Sequence, residues 1–267
     1  MRNINPRLIL IFKLVPFIVL FSIAFAIFRF SGWELFPMLS ANLNGISWLY
    51  STVGLIFGII SAFIIQTEWE NWNNLTNAVR EEIRAIRQLL MFSSHLPLKL
   101  AQSTRDSMKN YVNLLINDGW KKIEQGERLD DLEQAIVAIQ ENVYLIADQV
   151  PQMSNVAFTI FSQVLSGRER RLQHSGRHLP LILHVFILLA TFLIMLFSLF
   201  IAVDSIVLDY MFTLGIGILA YLIAILIEDL DNPLQPGSWQ ITTKEYRRLL
   251  YEIEEAMARP VPIARKK

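Results

Sequence analysis

The stretch from Trp48 to Leu75, WLYSTVGLIFGIISAFIIQTEWENWNNL, constrains this chain more than any other. An apolar run becomes a charged, aromatic-studded one with no turn residue between them, so a helix formed in the first half has nothing to stop it in the second. Between Trp48 and Gln66 no residue carries a charge. That length crosses a hydrocarbon core of ~30 Å at ~1.5 Å per residue, and the helix then continues beyond the membrane. Positions four apart share a helix face, so Ser51, Leu55, Ile59 and Phe63 form a bulky stripe. Gly54, Gly58 and Ala62 form a small one, turned from the first by ~100°. Small residues at this spacing let a neighbouring backbone come close in lipid, leaving the Leu55 and Ile59 face for something else. Ordinary packing of both stripes against other helices is the plainer alternative.

Composition supports a membrane protein: 53% of the 267 residues are hydrophobic, and 24 basic residues balance 24 acidic ones. A nucleic-acid binder needs a basic face, and the only basic run is the terminal Arg265, Lys266 and Lys267, so nucleic acid is excluded as a partner. Without cysteine there is no disulfide, thiolate metal site or cysteine nucleophile. Arg2 and Arg7 precede an apolar run, but no small-residue cleavage site follows, which reads as a retained anchor.

Residues 8–28 form a first apolar segment interrupted by Lys13 and Pro16, so its start is expected as an interfacial turn in which Lys13 snorkels. Trp33, Pro37, Asn44 and Gly45 mark a short external loop over 29–47. Beyond Gln66, the spacing of Trp69, Trp72, Leu75, Val79, Ile83, Ile86 and Leu90 predicts an amphipathic helix ended by Pro97. Further amphipathic helices are expected at 98–118, 130–149 and 153–175, together a helical bundle. Apolar runs at 180–203 and 206–227 are joined by a tight turn near Asp204; the second ends at Glu228, Asp229 and Asp231. Asn232-Pro233 and Pro236-Gly237 then break the chain, and a last helix starts near Thr242, which with Glu245 fits a capping box. The organisation is therefore a first membrane hairpin over 1–66 with a candidate pore helix at 48–66, a helical bundle over 67–179, a second hairpin over 180–228, and a C-terminal segment with a helix over 229–267. Arg29 is the one basic residue in the two short loops, so the positive-inside rule puts both termini and the bundle in the cytoplasm.

Other constellations are weaker. His174 and His178 are four apart, but Gly176 and Pro180 weaken a shared helix and no carboxylate stands at ligand spacing, so they read as interfacial histidines and no metal is expected. His184 lies inside an apolar run, either as a pore group or facing lipid headgroups. Glu228, Asp229 and Asp231 read as a solvated helix end, with a cation site at the membrane exit as the alternative. No phosphate loop, nucleophile elbow or zinc-protease motif occurs, so neither a cofactor nor an enzyme is expected.

The segment LIFGIISAFIIQTEWENWNNL resembles the second transmembrane helix of bestrophins, the pentameric ion channels, through Gly58, Trp69, Trp72, Asn74 and Leu75. Asp231-Asn232-Pro233-Leu234 is similar to the Asn-Pro-Phe-Gly after the last bestrophin span, and Arg171-Leu172 ahead of Pro180 also looks family-like. With the matching order of elements, these cover both hairpins and their junctions, and look closest to the bacterial bestrophin-like proteins. The resemblance implies an all-α membrane fold with four transmembrane helices, a cytosolic helical bundle and a homopentameric ring around the second helix, in a bacterial inner membrane. It puts a hydrophobic neck on Ser51, Leu55, Ile59 and Phe63, gated by dewetting, and subunit packing on Gly54, Gly58 and Ala62.

Departures matter as much. Thr67 and Glu68 stand where bestrophins have a basic residue and a tryptophan, and a negative ring at Glu68 or Glu70 would favour cations. Solvated or paired carboxylates are the alternative. Leu234-Gln235-Pro236-Gly237-Ser238-Trp239 replaces the acidic cluster that binds calcium in animal bestrophins, so calcium activation of that kind is not expected. The resemblance thus implies passive conduction of inorganic ions through an oligomer in lipid, chloride slightly favoured over cations. The alternative is a non-conducting scaffold or sensor whose bundle binds a partner.

Overall fold

The computed structural model describes residues 6–30, 43–124, 130–201 and 205–258. The expected loop positions Trp33, Glu34 and Pro37, the turn at Asp204 and the terminal basic run lie outside these residues. The described elements are α1 (Pro6–Phe30), α2 (Leu43–Ser93), α3 (Leu98–Leu114), a π-helical turn (Leu115–Gly119), α4 (Trp120–Glu124), α5 (Asp130–Gln149), a 3-10 turn (Pro151–Met153), α6 (Ser154–Ser175), α7 (Leu181–Phe200), α8 (Ile206–Asp231) and α9 (Lys244–Ala258). No strand occurs among the described residues. Among the described residues four helices are long and apolar enough to cross a membrane, with candidate spans in Leu10–Phe30, Ser47–Ser93, Leu181–Phe200 and Ile206–Asp231.

The helix expected to continue without a stop beyond its apolar half does so: α2 is one element of 51 residues, about 75 Å long at 1.5 Å per residue. It begins earlier than the loop signals suggested. Asn44 and Gly45 lie in its first turn, because Leu43 already has helical geometry and two loop-forming residues are tolerated where the ladder of hydrogen bonds is still incomplete. At the other end, Pro97 does not end α2. The helix stops at Ser93, and Pro97 precedes α3, a place that needs no backbone N–H.

The chain divides into two compact units, Met1–Glu70 with His178–Gln240, and Asn71–Arg177 with Ile241–Lys267. Residues 229–240, expected with the C-terminal segment, thus cluster with the spans. In the first unit α7 and α8 pack as a hairpin. Phe57 and Ile64 of α2 meet Ile187, Ala190 and Ile194 of α7 and Ala220 and Ile227 of α8 in one core. Phe21 and Phe25 of α1 pack with Leu199 in a second. Lys13 does not snorkel alone. Helix α1 continues through Pro16, and the Lys13 ammonium lies 3.1 Å from Asp229 and 3.6 Å from Glu228.

In the second unit α3 packs on α5 and α9, and α5 packs on α6. The expected apolar stripe of α2 is its centre: Leu75, Val79, Ile83, Ile86 and Leu90 are all buried, whereas Trp69 and Trp72 are half-buried. The expected helix at 98–118 is interrupted. Trp120 N–H bonds the Leu115 carbonyl, five residues back, a π-helical closure that accommodates one extra residue before α4. The last helix starts at Lys244, two residues beyond Thr242, and packs on α3 as a bundle helix.

Candidate functional site

Helix α2 carries the candidate ion path. Its apolar sequence has three faces in the first unit, and one of them, through Phe57, Ile60 and Ile64, is committed to the core with α7 and α8. The bulky stripe is not. Leu55 is 65% exposed, Ile59 63% and Phe63 72%, and Ser51 is exposed as well. The Ser51 hydroxyl donates to the Ser47 carbonyl at 2.9 Å, and Thr67 does the same to Phe63 at 3.0 Å. Both hydroxyls are thus returned to the helix backbone, and the stripe presents an essentially apolar surface.

The small stripe is equally uncovered. A Cβ added at Gly54 or Gly58 would meet nothing within 4 Å, and Ala62 is exposed. Among the described residues no neighbour approaches these glycines. Gly217 shows the contrast: a Cβ there would stand 2.9 Å from the Phe21 ring, so that glycine is required by the approach of α1 to α8.

At the exit the two candidate carboxylates part. Glu70 is exposed, whereas Glu68 is 6% exposed and therefore turned into the fold instead of presenting a charge with Glu70 on one surface. The helical phase explains this, since residues two apart lie ~200° apart around the axis. Trp69 meets Trp239 edge to face, with ring centroids 4.7 Å apart. Leu75 is fully buried and Asn74 exposed. After α8, Pro233 is buried, and Asn232 turns back through its side-chain amide to the Glu228 carbonyl at 3.2 Å.

The acidic end of α8 is not a solvated cluster. Asp229 and Asp231 are 8% and 7% exposed, and α8 runs through both to Asp231. Asp229 accepts from Lys13 and from the Ser238 N–H at 3.0 Å, which fixes the turn after Pro233. Asp231 accepts from the Leu179 N–H at 2.5 Å, and His178 lies 3.3 Å from the Asp231 carbonyl. At the opposite end of the same helix, Arg29 of α1 pairs with the buried Asp209. His174 instead contacts Asn71 at 3.1 Å, and burial, with Arg177 and Arg170 nearby, lowers its pKa. His184 is half-buried in the first turn of α7. Among the described residues no three His, Cys, Asp or Glu side chains gather as a metal site.

One polar centre escaped the sequence reading. Glu82 of α2 is fully buried and accepts on both oxygens: from Arg171 Nε at 2.6 Å and Tyr246 at 2.7 Å on Oε2, and from Tyr111 on Oε1. Helices α2, α3, α6 and α9 each contribute one member. Gly167 makes this possible, because a Cβ there would lie 2.7 Å from the Glu82 backbone nitrogen. Burial penalises the Arg171 guanidinium, yet Glu82 and the two phenols more than offset it and hold its pKa above the ordinary value. Burial, then Glu82, pushes both tyrosines well above theirs. A signal existed. Glu82 falls between Val79 and Ile86 on the apolar face of α2, and Arg171 continues the Phe161, Val164 and Gly167 face of α6, so opposite charges interrupt two buried stripes.

Compared with known proteins, the chain matches a family model for a Bestrophin-like domain over residues 33–246. Among solved structures it is similar to a variant of a bacterial bestrophin homologue from Klebsiella pneumoniae, with 13% identity, a TM-score of 0.64, and coverage of 93% of this chain and 99% of that one. A structure described as a membrane protein variant aligns with 10% identity and a TM-score of 0.69 over 93% of this chain and 98% of the other. Another of that description reaches 13% identity and 0.68 over 94% and 99%. No curated protein matches the chain.

Proposed function

The chain belongs to the bestrophin-like family, its family match spanning residues 33–246, and from that premise we propose that it is an oligomeric ion channel whose pathway is lined by α2. One observation carries this reading. A membrane-spanning helix whose other face is packed in a core leaves a bulky apolar stripe, Ser51, Leu55, Ile59 and Phe63, without a packing partner among the described residues, beside small residues with open space over them there.

Copies arranged as a ring, a pentamer by family likeness, satisfy both surfaces. Gly54, Gly58 and Ala62 then admit the helix of the next copy, and Leu55 and Ile59 close a neck that conducts only when wetted. The ring sits in a bacterial inner membrane with its helical unit and termini in the cytoplasm, and chloride is the favoured ion. Its partners are lipid, inorganic ions and other copies of itself.

The decisive measurement pairs mass with flux. Purified protein should give a five-fold particle in detergent and carry ions in liposomes under opposing chloride and sodium gradients, with Ile59→Ala raising flux by roughly tenfold as the barrier to wetting falls. A monomer or dimer without flux would leave a membrane scaffold or sensor. Unchanged flux in Ile59→Ala beside a conducting wild type would remove Ile59 from the gate.

A further inference from the structure

Beyond the neck, the exposed face of α2 changes chemistry. Because α2 is a single helix with ~100° between residues, Glu70, Asn77, Arg80 and Arg84 all fall within about 40° of the line midway between Leu55 and Ile59. All four are exposed. Glu68, opposite them in phase, is turned into the fold. Acidic character on this face is therefore reduced to Glu70, and two guanidiniums follow it.

Those guanidiniums stand apart from their neighbours. Arg87 pairs with Glu252, Arg105 bonds Ser93 and the Ala256 carbonyl, Arg168 pairs with Glu133, Arg170 with Glu81 and Arg171 with Glu82. Arg80 and Arg84 have no hydrogen-bond or ion-pair partner among the described residues. The two carboxylates beside them in sequence are already engaged: Glu81 lies 2.9 Å from Arg170, and Glu82 is held by Arg171 and two tyrosines. Two guanidiniums against one carboxylate leave one net positive charge per copy on the face that continues the neck stripe.

We propose that Arg80 and Arg84 form a cationic belt that gathers anions at the cytoplasmic approach to the neck and sets the charge preference of the pathway. The inference rests on the reading that copies form a ring with this face of α2 inward. In such a ring each arginine is repeated around one axis, and like charges lining a confined, low-dielectric passage raise the local counter-ion concentration. Asn77, between the carboxylate and the arginines, adds an amide that can donate to a partly dehydrated anion. Arg80 lies about 30 Å along the helix from Ile59, so the belt acts on ion supply and permeability ratio and leaves wetting of the neck untouched. Guanidinium suits such a belt, since it stays charged at every physiological pH and is weakly hydrated.

The test is a reversal potential in planar bilayers under a KCl gradient, with particle mass measured on the same samples. Arg80→Gln combined with Arg84→Gln should shift the reversal potential toward the potassium equilibrium value, a fall of about threefold or more in the chloride-to-potassium ratio, and the shift should shrink as salt rises. Arg247→Gln, an exposed arginine of α9, removes equal charge elsewhere and should leave the ratio at the wild-type value. A double variant that conducts as an oligomer with an unchanged ratio, or that no longer assembles, overturns the belt while the wild-type pore stands. Absence of current from wild-type oligomers overturns the pore reading and the belt with it.

Discussion

At the scale of single residues, the Glu82 centre decides how the helical unit holds together. A buried carboxylate costs several kcal/mol to dehydrate, and here a guanidinium and two phenols supply the compensation. Glu82→Gln removes the charge that Arg171 was buried to meet, and should destabilise the protein by about 3–5 kcal/mol in thermal melts in detergent. Tyr246→Phe removes one neutral donor to a charged acceptor and should cost about 1.5–3 kcal/mol. The tyrosines also set an alkaline limit. Their pKa values are raised in the fold, so the unfolded chain loses these protons first, near the ordinary value of about 10. Their contribution is fully present below that pH and is lost as pH rises above it. Melting temperature should therefore drop steeply above about pH 10, and less steeply in Tyr246→Phe. An acid and an arginine 89 positions apart can be recognised as interrupting apolar stripes, but which acid meets which arginine depends on the crossing of α2 and α6 at Gly167.

Among elements, the contact of α1 with α8 is held by ion pairs near both ends and one glycine between them. Arg29 with Asp209 and Lys13 with Asp229 lie near opposite ends of these helices, and Gly217 admits the Phe21 ring between them. Gly217→Ala forces that ring to move and should lower stability by about 1–3 kcal/mol. Gly215→Ala, two residues away with open space above it, should be neutral or stabilising by up to about 1 kcal/mol through helix propensity. Comparing the two melting temperatures checks the geometry directly. Likewise Arg29→Ala takes from buried Asp209 one charged partner and should lower the melting temperature, while replacing both with apolar residues should recover most of the loss. Helix positions were legible here from apolar runs alone. The role of Lys13 was not: snorkelling and pairing both suit a lysine near a span's end, and the choice depends on Asp229, 216 positions away.

For the whole molecule, the four spans, the long α2 and the helical bundle could be read from hydrophobic period and length because lipid demands internally satisfied backbones. What stayed hidden were surfaces defined by phase, such as Glu68 turning inward while Glu70 faces out. Gly58→Leu tests the assembly at this scale. With nothing within 4 Å among the described residues, the larger side chain should leave the fold intact, and should abolish the oligomer in mass measurements if neighbouring copies meet there. Finally, α2 contains no glycine or proline after Gly58, and its hydrogen-bond ladder runs to Ser93 without a hinge. An unbroken ladder makes α2 a cooperative element, each turn held by the turns on either side of it. Asn77→Pro, at an exposed position, should break that ladder at a cost of about 3 kcal/mol, read as a fall in melting temperature and in helix content.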